Sequence, residues 1–185
     1  MAAGWVAIAL AVVSVASIAS LIVFFAAGGP FGLINDAGNA LIGVLGAALA
    51  ILLSGKAGGW PGVIAAVIGA AVAAWGSWLV MSSATGFVLA GFVSTIGFGC
   101  IGIWLALVAW SPMADDWSNV LRGVARVAAV AMVLGGLAAV PAALMRIDSF
   151  EDLPGWMWLF SVGWLGTYVL LPIWAIGLGR RLIGS

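Results

Sequence analysis

The sequence predicts an all-α integral membrane protein: a six-helix bundle built as a 3+3 inverted-topology repeat. Three observations carry that expectation. The chain is 65% hydrophobic and 6% charged, whereas a soluble domain covers its surface with roughly 25% charged residues, so the outer surface must face lipid. The apolar residues fall in six runs close to the ~20 residues that cross ~30 Å of hydrocarbon as a helix. These runs are nearly continuous, unlike the alternating strands of a membrane barrel. Finally, Asp36-Ala-Gly-Asn39-Ala-Leu41-Ile-Gly43-Val44 returns as Asp116-Trp-Ser-Asn119-Val-Leu121-Arg-Gly123-Val124, each copy sitting where a polar connection turns into an apolar run.

Taken in order, the first span runs over about 4–27 and stops at Gly28-Gly29-Pro30. Its apolar stretch exceeds a signal peptide's usual h-region and no basic residue precedes Lys56, so it reads as a retained span. The connection 31–36 leads to the first motif copy and a second span that ends near Leu53. Ser54 to Gly59 is a glycine-rich turn, and Trp60-Pro61-Gly62 opens the third span. Pro61 suits a first helical turn, where a backbone N–H has no helical partner. The fourth span covers about 87–110 after the turn 82–86. The fifth follows the second motif copy and reaches about Met145. A hydrophilic connection with Arg146, Asp148, Glu151 and Asp152 precedes Pro154-Gly155-Trp156, which opens a sixth span ending before Arg180-Arg181. Pro141 and Pro172 lie inside the fifth and sixth spans, where each removes a helical hydrogen bond and calls for a kink or local opening.

The halves, about 1–82 and 83–185, align without a gap from Gly4 against Gly86 to Pro30 against Pro112, and the third element of each opens with Pro-Gly. Three spans per half is an odd number, so duplicated halves must sit upside down relative to each other, an arrangement common among secondary transporters. Lys56, Arg122, Arg126, Arg180 and Arg181 fall on one side of this layout and only Arg146 on the other. The positive-inside tendency then places both termini in the cytoplasm, in a cell inner (plasma) membrane.

Candidate functional residues are few. Asp36 and Asp116 read either as acidic groups at the two mouths of a pathway or, more plainly, as helix N-caps, supported three residues on by Asn39 and Asn119. Arg122 and Arg126 share one helix face. They either bind an anionic headgroup or a partner's acidic loop, or simply anchor the helix by reaching to the headgroups. Ser17, Thr95 and Gly99 belong to small-residue faces that let helices approach closely, with a pore lining as the sharper alternative.

Several function classes are excluded or disfavoured. The net charge is +0, which gives no electrostatic case for nucleic acid. There is no His, the commonest metal ligand and proton shuttle, and the lone Cys100 has no partner thiol. No base, metal cluster or phosphate-cradling loop accompanies any Ser or Cys100, so the reading is no enzyme and no cofactor. The opening Gly29-Pro30-Phe31-Gly32…Asn35-Asp36 and the six-span layout resemble uncharacterised small bacterial multispanning membrane proteins; the resemblance implies a bacterial integral membrane protein and no residue roles. With no titratable group expected deep in any span, the first expectation is a structural or accessory component. It would sit in the lipid bilayer as a homo-oligomer or within a larger membrane complex. A passive or facilitative conduit for a small neutral solute is the competing one.

Overall fold

The computed structural model describes residues 1–184, and among these the regular structure is entirely helical. Six helical segments are long and apolar enough to cross a membrane. They are α1 (Ala2–Ala27), α2 (Phe31–Leu53), α3 (Gly59–Met81), α4 (Phe87–Ala109), α5 (Asn119–Leu144) and a composite sixth span. The last is a 3₁₀ turn (Gly155–Leu159), α6 (Phe160–Leu165), a π-helical segment (Gly166–Leu170) and α7 (Leu171–Gly184).

The connections are short, so neighbouring helices run antiparallel. Each helix packs on the next in sequence, and α7 returns to α1, closing an up-and-down ring. One end carries both termini and the α2–α3 and α4–α5 connections; here it is the terminal end. The distal end carries the other three connections. Successive triplets in any such ring run in opposite senses, so helix direction alone says nothing about duplication.

Turn chemistry fixes the reversals. Gly28 and Gly29 take φ of 68° and 76°, a left-handed region open to glycine, and the Gly28 N–H closes α1 on the Phe24 carbonyl. Pro30 is the N-cap of α2, which therefore starts at Phe31 rather than at Asp36. At α5 the cap is Ser118, whose hydroxyl accepts from the Leu121 N–H at 3.2 Å.

Small residues set how close the helices come. A Cβ on Gly97 of α4 would collide with the backbone of Gly69 and Ala73 of α3, and one on Gly99 with Gly136 of α5. Gly135 of α5 meets Gly163 of α6 in the same manner. The approach maximises dispersion contact between helices, which drives association where lipid is as apolar as the side chains.

The core is apolar over most of its length, although Nε1 of Trp104 and of Trp174 find no hydrogen-bond partner in it. Phe98, Ile101, Trp104 and Leu105 of α4 pack with Leu10, Met132, Leu171 and Trp174, all buried. Trp104 and Trp174 meet edge to face at 5.9 Å, and Trp117 adds a third ring at the terminal end. The break expected at Pro172 takes the form of the π segment just before it. In α geometry the Tyr168 carbonyl would pair with an N–H at position 172 that proline lacks. The Leu171 N–H instead reaches the Gly166 carbonyl, five residues back. At Pro141, α5 continues through to Leu144.

Candidate functional site

The helix α2 begins at Phe31, ahead of the Asp36 motif rather than after it. Asn35, Asp36 and Asn39 lie one to two turns inside a spanning helix, about 6–12 Å from its first residue at 1.5 Å per residue. The N-cap role expected for Asp36 is thus corrected: the helix starts at Phe31, so Asp36 lies past its first turn, and the residue is 6% exposed. The second motif copy behaves differently. Asp116 ends an exposed 3₁₀ turn (Pro112–Asp116), and the cap of α5 is Ser118, not Asp116. The shared D-x-x-N spacing hides two unlike environments at opposite ends of the bundle.

Three spans contribute to a buried polar cluster around Asn35 and Asn39. The Asn35 amide donates to the Ser17 carbonyl and to Ser17 Oγ, both at 3.0 Å. Ser17 Oγ is 3.1 Å from both the Asn35 carbonyl and Asn39 Oδ1. The Asn39 amide donates to Asn35 Oδ1 at 3.3 Å, and the Tyr168 hydroxyl donates to Asn39 Oδ1 at 2.6 Å. A second pair lies alongside: Trp164 Nε1 donates to Thr95 Oγ1 at 3.1 Å, while the Thr95 hydroxyl donates to the Gly91 carbonyl at 2.7 Å. Burial in hydrocarbon makes an unpaired polar group expensive, so the network is closely satisfied.

Between these groups is a cavity of about 10 Å³, the least that admits one water molecule. Asn35, Asp36, Asn39, Ser94, Thr95 and Tyr168 supply its polar wall. Leu21 and Phe87 stand on its distal side, where Phe87 joins Phe24 and Phe25 in a cluster with ring centroids 5.7–6.0 Å apart. Phe98 closes the other side above the apolar core. Asp36 is the one ionisable carboxyl inside this chamber, and it has no hydrogen bond or ion pair among the described residues.

The fold thus gathers Ser17, Asp36, Asn39 and Thr95 of the candidate residues. Gly99 sits in the α4–α5 contact instead, against Gly136. Asp116, Asn119, Arg122 and Arg126 lie at the terminal end. There Arg122 reaches Asn119 Oδ1 at 2.8 Å and Asp115 Oδ1 at 3.3 Å. Arg126 Nε donates to the Ala109 carbonyl at 3.3 Å, and its guanidinium lies 5.2 Å from the Trp110 ring centroid. Those contacts tie the start of α5 to the end of α4, using a carbonyl that the finishing helix leaves free.

Sequence reasoning missed Asn35 and Tyr168. The available signal was rarity: the chain has one Tyr, and Asn35 completes its short set of three Asn. Among the described residues no group of three His, Cys, Asp or Glu could hold a metal ion. Comparison of the chain with protein-family models, with curated proteins and with solved structures gives no match.

Proposed function

We propose that the protein is a non-catalytic, facilitative carrier for a small solute, working from the Asn35–Asp36–Asn39 chamber in a bacterial inner membrane. The observation that carries this reading is the unpaired Asp36 side chain, buried inside a span and facing a polar cavity. An intramembrane ionisable group is costly to keep and is the usual mark of a solute or ion path. The expectation of an accessory component rested on no such group lying within a span, so the weight moves to the second expectation, with a carrier replacing an open conduit. An open pore does not suit a bundle whose terminal half is packed with Trp104, Trp117 and Trp174.

Two features support alternating exposure of the chamber. Leu21 and Phe87 line its distal side, and Phe87 packs on Phe24 and Phe25. The span that supplies Tyr168 is broken there by a π segment, and π segments and interrupted helices recur where transport proteins bind and move.

Purified protein in liposomes tests the proposal. Swelling assays with small polyols and urea, and entrapped dyes for sodium and protons, should detect flux above empty vesicles. Asn39→Leu should abolish it. Folded wild-type protein that passes none of these probes would remove the carrier reading and restore the accessory one.

A further inference from the structure

We infer that the chamber is a binding site for one small monovalent cation, with Asp36 as its counter-ion. The inference rests on the chamber reading above and names the charge and size of what the chamber takes.

The hydrogen-bond directions make the case. Both N–H groups of the Asn35 amide are spent on Ser17. The Tyr168 hydroxyl and Ser17 Oγ point at Asn39 and the Asn35 backbone. Trp164 donates to Thr95, Thr95 to the Gly91 carbonyl, and Ser94 to the Ala73 carbonyl. Apart from the second N–H of the Asn39 amide, whose first goes to Asn35 Oδ1, the donors around the cavity are therefore committed, and what remains toward the space is mainly oxygen lone pairs. Asp36 offers two oxygens with no partner, while Asn35 Oδ1, Ser94 Oγ and Thr95 Oγ1 each retain accepting capacity. Such a wall asks for a positive or donating occupant.

Size and charge narrow the class. About 10 Å³ admits an occupant no larger than water. With Asp36 ionised, a neutral water would leave its charge uncompensated in a low-dielectric setting. Divalent ions bound through a single carboxylate keep several waters, for which about 10 Å³ has no room. No other charge competes: α1 and α3 contain no acidic or basic side chain, α4 contains only Cys100 among titratable groups, and the sixth span presents Tyr168 alone to the chamber. Cys100 lines a different, apolar surface. Sodium is the member of this class that fits, and a proton taken by the Asp36 carboxyl itself, which would leave a neutral acid beside a neutral water, is the competing state.

The test is thermal unfolding of the full chain in mild detergent, followed by tryptophan fluorescence. NaCl is titrated against choline chloride at constant ionic strength and fixed pH, and pH is then varied without sodium. A saturable rise in midpoint with NaCl, lost in Asp36→Asn, assigns the site to sodium. No sodium effect but a rise on acidification, again lost in Asp36→Asn, means that the carboxyl itself takes the proton, and overturns the cation site. A wild-type midpoint indifferent to both, or an effect kept in full by Asp36→Asn, overturns the inference. Sodium-23 line broadening in the wild type gives a readout independent of the variant's stability. Ion-dependent stabilisation with silent liposomes would sink the carrier reading and leave this site standing; neutral-solute flux with no ion effect would do the reverse.

Discussion

The Tyr168 hydroxyl donates to Asn39 Oδ1 at 2.6 Å, across 129 residues of sequence. It joins the sixth span to the second, while Ser17 joins the first to the same two Asn side chains. The ring of helices is therefore tied through its interior as well as around its rim. Interhelical hydrogen bonds in membrane proteins couple by about 0.6 kcal/mol on average and up to ~1.7 kcal/mol. Tyr168→Phe and Asn39→Leu should each destabilise the fold by ~1 kcal/mol. Combined, they should cost less than their sum by about the coupling energy. Reversible unfolding in mixed detergent micelles checks this, and strictly additive losses would show that the bond contributes nothing.

A second long-range tie sits at the distal end. The Asp148 carboxylate accepts the Gly86 N–H at 2.7 Å and the Leu89 N–H at 3.0 Å. A side chain from the α5–α6 connection thereby caps α4, whose own N-cap, Gly86, has no side chain to offer. Asp148→Ala should cost about 1 kcal/mol, as loss of an N-cap does, and Asp148→Asn less. Because Phe87 is the first residue of α4 and lies over the chamber, hydrogen exchange should quicken at 87–91 in Asp148→Ala. Unchanged exchange there would mean that solvent already serves those N–H groups.

How far the sequence reached depends on whether the signal was local. The six spans follow from apolar runs, and the reversals at 28–30 and 58–59 from glycine and proline. The break near Pro172 follows from a missing N–H. The start of α2 was not legible in this way: Phe31, Gly32, Leu33 and Ile34 are ordinary connection or helix residues, and only the observed cap at Pro30 decides between them. That single offset of about one and a half turns moved Asp36 from the surface into the bundle. The partner of Asn39 is likewise set by the sixth span returning to the first helices, and those of Asp148 by the α5–α6 connection folding back on α4, which no short window of sequence contains.

The glycines separate into two kinds that a substitution can tell apart. Gly97 faces the α3 backbone so closely that a Cβ would lie 2.5 Å from the Ala73 nitrogen. Gly97→Val should push α3 and α4 apart at a cost of ~3 kcal/mol or more, at the upper end of overpacking. Gly123, inside α5, has nothing within 4 Å of a built Cβ. Gly123→Ala should stabilise by about 0.5–1 kcal/mol, because alanine loses less backbone entropy in a helix. Thermal midpoints in one detergent check both, and equal responses would contradict the packing described.

The sidedness of the chamber has a direct test. Lys56, Arg122, Arg126, Arg180 and Arg181 all lie at the terminal end, whereas the distal end has Arg146 beside Asp148, Glu151 and Asp152. Basic residues in short connections are retained in the cytoplasm, so the terminal end should face inward and the chamber should lie nearer the outer surface. In a Cys100→Ala background, single cysteines at Ser82 and Glu151 should react with an impermeant maleimide on intact cells. Cysteines at Gly55 and Asp116 should react only after permeabilisation. The full reverse would keep the ring but turn the chamber toward the cytoplasm, so that an ion would load from inside. Labelling split within either end would break the up-and-down order itself, since each pair of sites belongs to connections that the ring places together.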